Sequence, residues 1–454
     1  MSHHILKLAP TDVLFFRDGR PMEGSSSGHG ASWPLPNVLA SALHHALRRS
    51  GGLDELHRHT VKRSGKELNG DRENYGRQFG SLKCAGPFPI DTFGNWFFPR
   101  PADAAQKSAS TTTHRPLSGA IGGAESSLAP GLAPVVGTVP PTKDKPEPWL
   151  SREAFDHYLT GDLSAADGHF LPDDKFFGIE HNIGIGIDPE TGTQDGERFY
   201  SASYLRLKEG VRIGIIGHCM DKGKTGTTAE LDLLERTFQN SGTKTLILAG
   251  GQQRTCTLTR ESVRNLPLPV GPVITGTLVR WTLLTPAIFP AIPENAGKHV
   301  HHHPGGWKPT WIDAAMKVQL KDPAYSDRKE REGRDAWRKR VAELPPIGAR
   351  LVAASIPRAL TVTGWSISDT DDDTGISDQP GGARATHLAV PAGAVYYFEC
   401  DDEPSAQALA AALNWHGSSH GTEIQNRRST LMGEKGFGLG VCSSWSFHQG
   451  HTQV

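Results

Sequence analysis

Lys435-Gly436-Phe437-Gly438-Leu439-Gly440 runs directly into Val441–Phe447, which reads as the last strand of the chain. Glycine at alternate positions strips Cβ atoms from one side of the backbone and lets another backbone approach closely. Lys435 places a cation at the entrance, with Arg427 and Arg428 just upstream. An amide-rich turn flanked by cations suits a phosphate backbone. The same residues also make a plain tight turn ahead of a strand. Either way the segment supplies no general base and no nucleophile.

Outward from this turn, Ser405–Trp415 reads as a helix with Leu409 and Leu413 on one face. Thr386–Glu399, Arg350–Trp365 and Val273–Phe289 read as strands, with a helical region between Trp311 and Val341. The glycine turn therefore falls between the second helix and last strand of a β-α-β-β-α-β unit. The first half repeats that order. Ile5–Leu8 is a strand, and Pro36 opens a helix with Val38, Leu39, Ala42, Leu43, Ala46 and Leu47 on one face. Ser151 caps a helix running to Leu159. Gly178–Asp188 and Arg198–Leu207 flank turn-rich sequence and read as a β-hairpin. Val211–His218 is a buried-type strand. The capping box Thr227-Thr-Ala-Glu230 precedes a helix carrying Leu231, Leu234 and Phe238, and Lys244–Ala249 is a strand ahead of Gly250-Gly251. The expectation is an α+β chain of tandem ferredoxin-like (RRM-like) domains, 1–262 and 263–454. Each would be an antiparallel sheet with helices on one face. A long loop insertion is expected at about 101–148, where Ala, Ser, Thr, Gly and Pro dominate.

With 454 residues the chain can bury a sizeable core, and a net charge of −1 excludes a generally basic nucleic-acid binder. Any RNA contact must come from local patches. The five cysteines are odd in number and lack C-x-x-C spacing, so they make neither a zinc site nor a disulfide framework. No apolar run approaches the roughly 18 residues that span a bilayer, and Met1–Lys7 has no signal-peptide character. A soluble, cytoplasmic protein without a membrane partner is expected.

Five stretches together carry a family resemblance: Phe15–Pro21, Ser32–Leu43, the Ile183–Leu207 hairpin, Ala389–Phe398 and Glu434–Gly440. In order and placement they resemble the RAMP-superfamily subunit three of the Cmr complex, the type III-B CRISPR effector. The resemblance covers nearly the whole chain except the low-complexity insertion. It implies tandem ferredoxin-like domains and a non-catalytic subunit that caps the 5′ handle of the crRNA. It also implies docking to a polymerase-like large subunit and to backbone RAMP subunits, with target RNA met only indirectly. No cofactor is implied.

RNA handles are held as splayed single strands, phosphates on cations and amides and bases on aromatics. Arg17, after Phe15-Phe16, can contact a phosphate or pair with Asp18. His29 lies in the Gly/Ser-rich loop before the first helix, whose N-terminus can face an anion. Asn182, Arg198 and Tyr200 lie on the hairpin and can hydrogen-bond or stack, Tyr200 equally being a core residue. Arg427, Arg428, Lys435 and the Gly436, Gly438 and Gly440 backbone complete the groove, and Phe437 either stacks a base or anchors the loop inward. A different class of function is a RAMP endoribonuclease that processes precursor RNA with His29 as acid or base.

Three further patterns fail on spacing. Gly223-Lys224-Thr225 resembles a P-loop, but Gly217 and Gly223 enclose five residues rather than four. His299, His301, His302 and His303 are crowded and lack a companion Cys or carboxylate. Asp369, Asp371 and Asp373 open like a calcium loop, but Thr374 and Pro380 stand where Gly and Glu are required.

Overall fold

A computed structural model of the chain describes residues 3–16, 27–28, 33–50, 61–63, 66–68, 82–107, 110–118, 127–137, 146–163, 170–188, 190–221, 231–238, 242–252, 254–294, 302–329, 332–366, 369–370, 377–379, 382–383 and 385–448. The first half contains β1 (His4–Pro10), α1 (Pro36–Arg49), β2 (Lys83–Ile90), β3 (Phe97–Pro99), α2 (Arg152–Thr160), β4 (Phe177–Ile187), β5 (Gln194–Leu207), β6 (Arg212–His218), α3 (Leu233–Thr237), β7 (Lys244–Leu248) and β8 (Thr255–Ser262). The second contains β9 (Leu278–Leu283), α4 (Pro323–Ser326), α5 (Arg334–Glu343), β10 (Ala349–Ser355), β11 (Val395–Cys400), α6 (Glu403–Leu413) and β12 (Gly440–Ser444). The protein is a mixed α/β molecule with several small antiparallel sheets and few helices.

Two sheets organise it. The first has the order β7-β8-β1-β6-β2 and the second β10-β11-β9-β12. Their central strands pair antiparallel on both sides, Leu6 opposite Ile215 and Arg260, and Trp281 opposite Tyr396 and Cys442. Alternate residues of a strand point to opposite faces, and in β1 that parity separates two cores. Leu6 and Leu8 join Ile213 and Ile215 beneath the α1 stripe of Leu39, Leu43 and Leu47. Each such leucine contributes about 1.5–3 kcal/mol of burial. Ile5 and Ile216 face the other way, into a core with Phe98, Phe155, Tyr158, Trp415 and Val441. The first sheet is thus packed on both faces, where the sequence reading expected helices on one. The reason is α2, which lies against β12 of the second half.

Several local readings match. Ser151 accepts a hydrogen bond from Ala154 N at 3.2 Å and caps α2. The hairpin is β4–β5, paired from Phe177–Leu207 to Ile187–Gln194. Leu409 and Leu413 of α6 are fully buried. Two boundaries differ. The helix after β6 begins at Leu233 with Asp232 as its cap, while Thr227–Glu230 lie outside the described residues. The strand read over 273–289 is confined to β9, because Thr285–Pro286 turn the chain to meet Leu439.

The largest correction concerns 101–148. Asp103 is completely buried and accepts hydrogen bonds from Tyr158 Oη at 2.8 Å, Tyr397 Oη at 2.7 Å and Arg280 Nη1 at 3.2 Å. The Arg280 guanidinium lies 4.0 Å from the Tyr158 ring centroid and donates to Tyr158 O and Ser443 Oγ. The start of this segment is therefore a polar keystone between α2 and the second sheet. Composition pointed to a loop because few large apolar residues are present. One carboxylate meeting a buried arginine supplies the anchorage instead. No helix among the described residues is long and apolar enough to cross a membrane.

Candidate nucleic-acid interface

The glycine turn connects a 3₁₀ turn, Gly433–Lys435, to β12. It sits where the second half meets the first, against Pro36 at the start of α1 and Cys84 in β2. Ser27–Gly28 pair in parallel with Ser201–Ala202 of β5. Chain leaving Gly28 re-enters the described structure at Trp33, just before α1. The fold thus sets the glycine turn against the start of α1 and against β2, although these are distant from it in sequence.

The turn itself is not the bare cradle that the glycine spacing implied. Gly436 N donates to Gly433 O, Phe437 N to Met432 O, Gly438 N to Pro286 O and Leu439 N to Thr285 Oγ1. These amides are satisfied within the protein, and Gly436–Gly440 are all buried. The missing side chains serve internal contact. A Cβ on Gly438, at φ +77°, would meet Ser429 N at 2.1 Å, and one on Gly440 would meet Trp281 Nε1 at 2.1 Å. Phe437 is completely buried with Ile288, Val362 and Ala389, so it anchors the loop inward and does not offer a stacking face.

The cations divide by geometry. Arg428 is a strut: its Nε donates to Ala412 O at 2.5 Å and Nη2 to Asn426 Oδ1 at 3.2 Å. Burial pulls its pKa down to about 10. Arg427 is different. It is half-buried beside Cys84 and Glu434, and its Nη1 is shielded from solvent with no hydrogen-bond partner. Burial lowers its pKa, an effect that the neighbouring Cys84 and Glu434 oppose. Lys435, half-buried at the end of the 3₁₀ turn, faces His44 of α1. Burial, with the Lys435 charge behind it, pulls His44 down to about 4. Burial also pushes the Cys84 thiol up to about 12, with the Arg427 charge acting against it. Neutral Cys84 therefore lies beside Arg427, and neutral His44 beside Lys435. The pairing of Arg427 with Cys84 was invisible in the sequence, since they are far apart in the chain and share no motif.

On the hairpin, Asn182 is exposed opposite Ala202. Tyr200 lies opposite Gly184 in β5, and Arg198 lies in the same strand; their side chains are outside the described residues. β4 also exposes Ile179, Ile183, Ile185 and Ile187 along one face. Arg17 and His29 lie outside the described residues, as do Gly223-Lys224-Thr225, His299, His301, Asp371 and Asp373. His303 is buried and accepts from Gly305 N, while His302 Nδ1 meets Ile292 O. Among the described residues no group of three or more His, Cys, Asp or Glu side chains could hold a metal.

No curated protein matches the chain. Solved structures resemble it distantly. A chain of the type III-B Cmr-beta assembly bound to cognate target RNA and AMPPnP is 12% identical, with a TM-score of 0.39 over 88% of this chain and 86% of that one. A chain of the Csm3–Csm4 subcomplex of the type III-A interference complex is 10% identical, with a TM-score of 0.33 over 88% and 93%. A family model for CRISPR-associated protein (Cas_Cmr3) matches residues 6–445. With that match running through both sheets and the junction between them, the chain belongs to the Cas_Cmr3 family of CRISPR-associated proteins.

Proposed function

We propose that the chain is a non-catalytic subunit of a cytoplasmic type III-B CRISPR effector complex. In this reading it holds the 5′ handle of the crRNA at the junction of its two halves, and it joins a polymerase-like large subunit to backbone RAMP subunits in antiviral defence. The observation that carries the reading is Arg427. An Nη1 drawn out of water without an acceptor is costly, and a phosphate seated on this guanidinium would supply one. Arg427 packs against Gly433 of the same 3₁₀ turn that carries Lys435, which supports a basic patch there. The Cys84 thiol beside Arg427 stays protonated and is no nucleophile, which favours holding over cleaving. The exposed isoleucines of β4 fit a surface covered by another subunit.

The finer architecture belongs to the same reading. Numbered by their appearance within each unit, β1, β2, β6 and β8 lie in the order 4-1-3-2, and so do β9, β10, β11 and β12. That is the strand order of a ferredoxin-like fold, and it supports tandem modules divided near residue 262.

The test is handle-RNA binding across a salt series. Arg427→Gln should weaken binding and reduce the slope of log K against log salt by about 0.7, as for one phosphate contact on a single strand. Arg428→Gln, which removes an internal strut, should reduce stability and leave the slope alone. An unchanged affinity and slope in Arg427→Gln would refute the reading.

A further inference from the structure

We infer that the Asp91–Asn95 turn is a protein-docking knob, with Phe93 as its anchor and a partner protein bearing an apolar pocket with a donor-rich or basic rim as its occupant. The inference rests on the proposed place of the chain in a multi-subunit particle, and it concerns a surface apart from the Arg427 junction. Phe93 is 89% exposed, the most exposed large apolar side chain among the described residues. Such a ring on a mobile loop would mean little, but this turn is built. Asp91 Oδ1 accepts from Phe93 N and Asn95 N, both at 2.9 Å, and Oδ2 accepts from Asn95 Nδ2 at 2.9 Å. Asp91 N donates to Asn95 O at 3.0 Å and Gly94 N to Asp91 O at 3.1 Å. The backbone at Gly210, in the turn before β6, packs against the Thr92 methyl and braces the knob from the side.

A rigid turn displaying a bare aromatic gives up burial while its loop entropy is already lost. That is the condition under which one ring contributes most to binding. Asn95 also forms the wall of an adjoining groove of about 780 Å³, lined with Trp96, Arg152, Glu153, Asp156 and His157. Knob and groove together offer a continuous surface with one projection and one recess.

The charges choose the class of partner. Asp91 holds the knob, Glu153, Asp156, Arg152 and His157 line the groove, Lys208 and Glu209 precede the bracing Gly210, and Arg212 lies opposite Ile90; Arg152 is bound to Asp156 through Nε at 2.9 Å. This leaves no cationic surplus for a phosphate backbone, so stacking on a nucleotide is disfavoured. A protein pocket with a basic rim complements the set.

The experiment titrates the wild-type chain, Phe93→Ala and Asp91→Ala against each of the other purified subunits of the reconstituted effector particle, and separately against handle RNA. Phe93 is exposed, so its removal leaves the fold intact. Phe93→Ala should weaken binding to one subunit about thirtyfold with RNA binding unchanged. Asp91→Ala keeps the ring but frees the turn, and should lose several-fold at the same subunit. Wild-type affinity of Phe93→Ala for every subunit overturns the knob alone. A loss confined to RNA overturns it in favour of base stacking. Failure of the wild-type chain to bind any subunit removes the assembly reading and this inference with it.

Discussion

Replacing Asp103 by Asn tests whether one buried carboxylate joins the chain after β3 to α2 and the second sheet. Asp103 has no exposed surface and Arg280 only 6% of its side chain. Amidation leaves shape and volume nearly unchanged but strands a buried guanidinium without its counter-charge, which costs about 3–5 kcal/mol. The tyrosines add little. Tyr158 Oη keeps Thr282 Oγ1 at 3.1 Å and Tyr397 Oη keeps His114 O at 3.3 Å. Against a total stability of about 5–15 kcal/mol the loss is severe. In equilibrium urea unfolding, with a slope of about 3 kcal/mol per molar, the midpoint falls by about 1–1.7 M. The double variant Asp103→Leu/Arg280→Met removes both charges and should recover most of the loss, because the desolvation penalty disappears with the pair. An Asn variant within about 0.5 kcal/mol of the wild type, or a double variant no better than the single, would refute the keystone argument.

Stability should also fall on acidification. Burial holds His3 at about 3 and His44 and His416 at about 4, all below the unfolded value. Each is therefore neutral in the fold, while the unfolded chain takes up its proton. Their contribution is complete above pH about 6.5 and is lost as pH falls towards the folded values, at up to about 1.4 kcal/mol per pH unit for each. Flat stability between pH 7 and 5 contradicts this, and His3→Gln should reduce the slope. Gly438→Ala should destabilise by more than about 1 kcal/mol, since φ is +77° and the new Cβ would strike Ser429 N; wild-type thermal unfolding of that variant would show that the turn relaxes.

The amino-acid order alone established what short-range chemistry controls. The α1 stripe from Val38 to Leu47, the Ser151 cap, the β4–β5 hairpin and the leucine face of α6 each depend on neighbours within a turn or two, or across one hairpin, so periodicity and capping exposed them. Tertiary structure alone decided the direction of the glycine turn and the role of Asp103. Alternating glycines say that something comes close, and only the fold shows that it is Ser429 and Trp281. Likewise nothing near Asp103 marks it as buried, since Arg280 and Tyr397 lie 177 and 294 residues away. A side chain's solvation is set by whatever packs around it in space, and that information is absent from its local sequence.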